Sequence, residues 1–288
     1  MTRNSFITDE RLTSEGFIAT FVRRVKEGQL GSFPVILALI VIVIVFQSAN
    51  SNFISPANLV NLSTTVAYLA ILALGINLIL LLGEIDLSLA QLGGLAASLL
   101  GVLVVRQGVH PLIALGIMLL LGLVVGAVQG WFFAVVGIPA FVVTLAGLLA
   151  YTGLTLTTLG TQKNLSMADS FAFDFSSFYF PAIWAYAFGA VAVIGFAAGI
   201  IYSKVRRDNA GLESPSWTSV IVRVVFLAAI VFGFLILVNQ DFGLALPFLL
   251  MMTIAIGIDL VLRKTKYGRS IYAVGGKVAA ARRAGRRV

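Results

Sequence analysis

Eight apolar stretches dominate this chain and constrain its fold more than any other feature. The first covers 34–46; the others cover roughly 59–82, 88–105, 111–136, 139–159, 181–202, 218–238 and 244–262. A helix crosses a bilayer with about 20 apolar residues (range about 17–25), and the last seven stretches meet that length. Their apolar character is continuous, where a barrel strand would alternate. The predicted class is therefore an all-α polytopic membrane protein of about eight transmembrane helices. Composition agrees. Hydrophobic residues make up 59% of the 288 and charged residues only 11%, against about 25% charge in a soluble domain.

Lys and Arg orient the spans. Arg23, Arg24 and Lys26 put the segment 1–33 on the cytoplasmic side, and that segment is too long and too acidic for the leading region of a cleaved signal. Eight crossings of 34–262 then put the loop 203–217, with Lys204, Arg206 and Arg207, on the same side, together with 263–288. Segments near 50, 106, 160–180 and 240 fall outside and carry few positive charges. The net charge of +8 resembles a nucleic-acid binder's. Residues 263–288 hold nine basic residues and no acidic one, however, so the charge belongs to one tail. The partner expected is the lipid bilayer, with no nucleic acid. The stretch 139–159 is rich in Thr and Gly and reads either as a span or as a re-entrant segment.

The most informative polar cluster runs Gly83, Glu84, Ile85, Asp86, Leu87, Ser88. An Asp at a helix centre costs about 2.5–3.5 kcal/mol on the insertion scale, and a Leu returns only about 0.3–0.6. Glu84 and Asp86 therefore cannot both face lipid. They lie at an interface, in a water-filled cavity, or hydrogen-bonded inside the bundle; the simpler alternative is a short polar inner turn. Asn77 lies deeper, as a cavity-lining residue or an interhelical hydrogen-bonding one. Gly122, Gly126 and Gly130 form a stripe at every fourth residue, as helix packing uses, and Gly195 and Gly199 repeat it once. Gln129 sits beside the stripe and is expected to face the interior. Thr144, Tyr151, Thr152, Thr155, Thr157 and Thr158 either line a path for a polyhydroxylated solute or bond their own helix carbonyls. The runs 83–91 and 137–145 each place a Gly and a helix-disturbing patch between apolar segments, as transporter sites do.

No nucleophile–base pair, phosphate loop or redox motif is visible. There is no cysteine and a single histidine, His110, so no metal site, cofactor or catalytic residue is expected. ATP-driven work would need a separate subunit. The aromatic run over 171–180 reads as an outer interfacial belt. In the tail, Gly275 and Gly276 are expected to break the chain before a short basic helix over 278–284. Charge alone favours anionic lipid as its partner over a groove on a soluble protein.

These residues resemble a known family. Gly83 to Ser88 resembles the G-G-I-D-L-S motif of permease subunits from bacterial ABC importers of the ribose/xylose class. Gly137 to Leu145 resembles the V-P-A-F-I-V-T-L stretch that follows it. Lys266 to Gly276, continuing to Ala280 and Arg283, resembles the family's cytoplasmic T-x-x-G-R-x-x-Y-A-x-G-G-N-x-x-A-A-R segment, with Lys277 in place of its Asn. The extra pair of spans around 203–217 resembles the D-xylose type. The resemblance implies a monosaccharide importer without chemistry of its own, probed from outside by a periplasmic sugar-binding protein, paired with a second permease copy, and driven by a cytoplasmic ATPase subunit. It implies ATPase coupling for Gly268, Arg269, Tyr272, Gly275, Gly276, Ala280, Arg282 and Arg283. Asn77, Glu84, Asp86, Ser88, Gln129, Thr144 and Tyr151 are then the expected substrate-path residues. Family members continue beyond this segment, so a fragment or a shortened gene is expected. The alternatives are an ion-coupled secondary transporter using Glu84 or Asp86, and a non-transporting fragment.

Overall fold

The computed structural model describes residues 33–160, 165–168, 170–276 and 282. The tail 1–32, Ala280, Arg283 and nearly all of 278–284 lie outside the described residues. Residues 1–55 form one compact unit and 56–288 a second. In the first, helix α1 (Phe33–Ala49) is apolar throughout. The turn after it is tied by Gln47, which accepts from the Ile54 amide at 2.9 Å and donates to the Ser51 carbonyl at 3.0 Å.

The second unit is helical, with α2 (Pro56–Leu80), α3 (Leu89–Gly101), α4 (Pro111–Trp131), α5 (Ala140–Leu159) and the short α6 (Phe171–Ser176). Then come β1 (Tyr179–Phe180), α7 (Ala182–Asn209), α8 (Trp217–Val238), β2 (Leu244–Ala245), α9 (Leu246–Lys264) and α10 (Lys266–Gly276). π turns extend α3 over Val102–Arg106 and α4 over Phe132–Val136. Seven helices among the described residues are long and apolar enough to cross a membrane, and α1 is a shorter apolar helix. Only 11–17% of each such span is buried inside the protein. Helices apolar all round, with so little of that surface covered, belong in lipid.

The helices make two packed groups. α3 packs chiefly on α5 and also on α4, while α2 packs on α9 and α8, α8 on α7, and α10 on α9. α2 also touches α3, and the chain passes between the groups twice, over 81–88 and again over 160–181. Close approach depends on particular glycines. A Cβ at Gly189 would stand 2.5 Å from Leu235 Cδ1 between α7 and α8, and one at Gly75 would stand 3.2 Å from Leu89 Cδ2. The expected packing stripe is different. Added Cβ atoms at Gly122, Gly126, Gly130, Gly195 and Gly199 meet nothing within 4 Å. Among the described residues no helix packs on those glycines, three on α4 and two on α7.

The segment 139–159 is one unbroken helix, α5. The loop expected over 203–217 is shorter, since α7 continues to Asn209 and carries Lys204, Arg206 and Arg207 on its last turns. Gly211 (φ +67°) stops it: its own amide bonds the Asp208 carbonyl and the Leu212 amide bonds that of Arg207. This is the paired Schellman closure of a helix C-terminus. Lys204 is buried and donates to Asp208 Oδ2 and Ser214 Oγ at 3.0 Å each, with its ammonium 5.0 Å from the Trp217 ring centre. Asp259 and Arg263 pair at 2.6 Å, as their i, i+4 spacing predicts.

Contacts between connecting segments sort them into two ends. At one, Arg106 Nη2 donates to the Leu159 carbonyl at 2.9 Å, and β1 pairs antiparallel with β2. At the other, Leu81 and Leu82 lie against Gly275. The Thr144 hydroxyl faces the Ile85 carbonyl at a long 3.4 Å. The aromatic run also divides. Tyr179 stacks on Phe242 and Phe180 packs edge-on to Phe188 beside the buried cluster Val60, Ala185, Leu235, Val238 and Leu244. Phe173, Phe175 and Phe178 stay exposed.

The chain lacks cysteine, so single cysteines report sidedness directly. Cysteines at Gln107 and Gln240 are expected to react with an impermeant maleimide from one face, and those at Leu212 and Tyr267 only from the other. Labelling in right-side-out and inverted vesicles checks it, and mixed labelling within either pair would contradict the two-ended arrangement.

Candidate functional site

Helix α2 ends where Gly83 takes a left-handed backbone (φ +83°). The Gly83 amide bonds the Leu80 carbonyl at 2.9 Å and the Glu84 amide bonds Ile79 at 3.3 Å, again a Schellman closure. The chain leaves the helix and turns back toward α3. There Asp86 Oδ1 accepts from the Ser88 amide and the Ser88 hydroxyl, both at 2.7 Å. An Asx turn of this kind starts helices. It also sets the carboxylate at the N-terminal end of α3, where the helix dipole favours negative charge.

Ser88 is buried and passes the network on. Gln129 Nε2, from α4, donates to Ser88 Oγ at 3.0 Å and to Tyr151 Oη, from α5, at 3.1 Å. Thr144, also buried, closes the α5 side through the Ile85 carbonyl. Gly147 makes room for these groups. A Cβ there would stand 2.7 Å from Gln129 Nε2, 3.1 Å from Tyr151 Cε2 and 3.3 Å from Ser88 Cβ. Gln129 and Tyr151 border a cleft of about 360 Å³ between α4 and α5, otherwise walled by apolar residues such as Phe132, Ile138 and Val143.

The arrangement suits binding and not bond-making. With both Gln129 amide hydrogens engaged, Gln129 Oε1 remains an acceptor and the Tyr151 hydroxyl a donor at the edge of the cleft. Among the described residues no cluster of His, Cys, Asp and Glu could hold a metal ion.

The structure thus brings together Asp86, Ser88, Gln129, Thr144 and Tyr151. Asn77 does not join them: it is exposed on α2. Glu84 also stands apart, half-buried at the end of the α2 closure. Three other hydroxyls on α5 bond carbonyls of their own helix. Thr152 bonds the Leu148 carbonyl, Thr155 that of Tyr151 and Thr157 that of Leu154, at 2.7–2.9 Å. Gly147 is the residue that sequence reasoning missed. Its signal was the spacing Thr144, Gly147, Tyr151, which puts all three on one face of α5. His110, without a role from sequence, caps α4: its Nδ1 accepts from the Leu112 amide at 3.3 Å.

In the tail, Gly275 and Gly276 are the last residues of the described run, and the break expected after them falls outside the described residues. Both belong to α10, which continues to Gly276. Gly275 is the point of closest approach, because a Cβ there would overlap the Leu81 carbonyl oxygen. Gly268 is buried in the same way against Leu262, whereas Arg269, Tyr272, Gly276 and Arg282 are exposed.

Comparison with known proteins extends this geometry. Residues 58–288 match the family described as "Branched-chain amino acid transport system / permease component". The xylose transport system permease protein XylH of Escherichia coli (strain K12) is 33% identical over 275 residues, which is 95% of this chain and 68% of that protein. XylH of Haemophilus influenzae is 30% identical over 91% of this chain and 70% of its own length. The ribose import permease protein RbsC of Escherichia coli (strain K12) is 28% identical over 87% of this chain and 60% of its own length. No solved structure matches.

Replacing Gly147 by Ala overfills the network and is expected to cost about 1–3 kcal/mol. Gly130→Ala, which meets nothing, should stay within about 0.5 kcal/mol of the parent. Melting of the two purified variants in detergent checks the difference, and equal melting temperatures would contradict the packing described.

Proposed function

This chain belongs to the permease-component family of branched-chain amino acid transport systems and their relatives, a multi-pass membrane protein and not an enzyme, and on that footing we propose that it carries a monosaccharide across the inner membrane as the membrane-spanning subunit of a binding-protein-dependent ABC importer. The observation that carries this reading is the 33% identity to XylH across 95% of the chain. D-Xylose is the proposed substrate. The lower identity to RbsC, 28% over 87%, favours it over ribose, and so does the helix pair α7–α8, the addition that resembles the xylose type.

In this reading the Asp86–Ser88–Gln129–Tyr151 network, with Thr144, borders the sugar path, and Asn77 and Glu84 line it from exposed or half-buried positions. A periplasmic binding protein delivers the sugar, and a second copy of the permease completes the path. The residues 263–288 lie on the cytoplasmic side. There the exposed face of α10 (Arg269, Tyr272, Gly276), with Arg282, meets the ATPase. Gly268 and Gly275 seat that helix, and Ala280 and Arg283 extend the contact. Gly122, Gly126 and Gly130 are kept small for close packing in the assembled transporter. Family membership favours ATP-driven transport over the ion-coupled alternative.

Proteoliposomes holding the permease, its ATPase and its binding protein should take up labelled D-xylose only with ATP inside the hydrolysing compartment, and an ionophore should leave uptake unchanged. Uptake that survives without ATP but collapses with ionophore would overturn the reading. Deleting 268–288 should abolish co-purification of the ATPase, and unchanged co-purification would remove the coupling assignment.

A further inference from the structure

Helix α10 has two distinct faces. Gly268, Ile271 and Gly275 follow i, i+3, i+7 spacing and share one of them, where Gly268 and Ile271 are buried. A Cβ on Gly268 would overlap the Leu262 backbone. One on Gly275 would overlap the Leu81 carbonyl oxygen and stand 3.2 Å from Leu82 Cα. These neighbours are main chain, which cannot turn aside as the tip of a side chain can. Gly276 is the next residue, yet a Cβ there would meet nothing within 4 Å.

The segment that Gly275 touches is the one that carries Asp86 and Ser88. It has little slack along its length. Gly83 is held left-handed by the closure of α2, the Ile85 carbonyl faces Thr144, and Asp86 is bonded twice to Ser88. It is also one of the two stretches of chain that join the helix groups, the other being 160–181. A push on α10 toward this segment therefore displaces Leu81, and through five tethered residues it displaces the carboxylate at Asp86.

We propose that the contact of Gly275 with Leu81 is the joint through which α10 moves the 81–88 segment, and with it the Asp86–Ser88–Gln129–Tyr151 network. Gly275 is then a positioning residue for transport, acting through Leu81 and touching no sugar. The inference rests on the reading of α10 as the ATPase-coupling element, and deepens it by naming where the motion enters the membrane domain.

The test uses the assembled transporter in proteoliposomes. Gly275→Ala should still co-purify with the ATPase, but sugar taken up per ATP hydrolysed should fall by at least about tenfold. Gly257→Ala, in α9, where an added Cβ meets nothing within 4 Å, should stay within about twofold of the parent. Equal behaviour of the two variants would overturn the proposal, and so would loss of the ATPase from Gly275→Ala. A second measurement needs no change at Gly275. Leu82 is partly exposed in a chain without cysteine, so maleimide labelling of Leu82→Cys reads the segment directly. Its rate should differ by about fivefold or more between nucleotide-free and vanadate-trapped assemblies; an unchanged rate overturns the joint even if Gly275→Ala fails to fold. If the unmodified assembly carries no sugar while Leu82→Cys still responds to nucleotide, the transport reading fails and the joint stands.

Discussion

A carboxylate placed among apolar helices needs donors of its own, and the fit of α3, α4 and α5 depends on how Asp86 finds them. Two bonds from Ser88 hold one oxygen, and the end of α3 supplies favourable dipole. Because Ser88 is both donor to Asp86 and acceptor from Gln129, the carboxylate on the loop is linked to α4 and, through Gln129, to Tyr151 on α5. A buried polar network of this kind specifies one arrangement, since each member loses its partner if a neighbour shifts. Gly147 is the packing counterpart: it leaves just enough space for the three side chains to meet.

The apolar runs made the helices legible, because each span is long, continuous and bounded by polar residues. The ends were less legible. The charged residues Lys204, Arg206 and Arg207 suggested a loop, yet α7 runs through them until Gly211 closes it. Local charge does not end a helix; a residue able to take positive φ does. Gly83 and Gly137 repeat this, both left-handed (φ +83° and +82°) at the ends of α2 and the α4 π turn. The two similar runs noticed in the sequence are thus two copies of one stop-and-restart device, each leading into a helix, and those two helices pack on each other.

The polar site was legible as a set of residue types and not as a set of neighbours. Asp86, Ser88, Gln129, Thr144 and Tyr151 could be named because polar atoms in lipid need partners. Asn77 met the same criterion and is exposed on α2 outside the network, since periodicity within α2 is masked by apolar residues on every face. The glycines divided for a related reason. Spacing of four places Gly122, Gly126 and Gly130 on a common face, but nothing in that spacing says whether a helix of the same chain covers it. Gly147, Gly189, Gly268 and Gly275, with no such regular stripe, are the ones that backbones or side chains crowd.

The turn between α7 and α8 closes on itself. Lys204 reaches Asp208 and Ser214 across it, its ammonium faces Trp217 at the start of the next helix, and Gly189 lets the two stems meet at Leu235. The charge of Lys204 is thus matched inside its own hairpin. What the hairpin presents at its tip is instead the exposed guanidinium pair Arg206 and Arg207, while its stems, through Ala185, Leu235 and Val238, close the buried cluster against Val60 of α2.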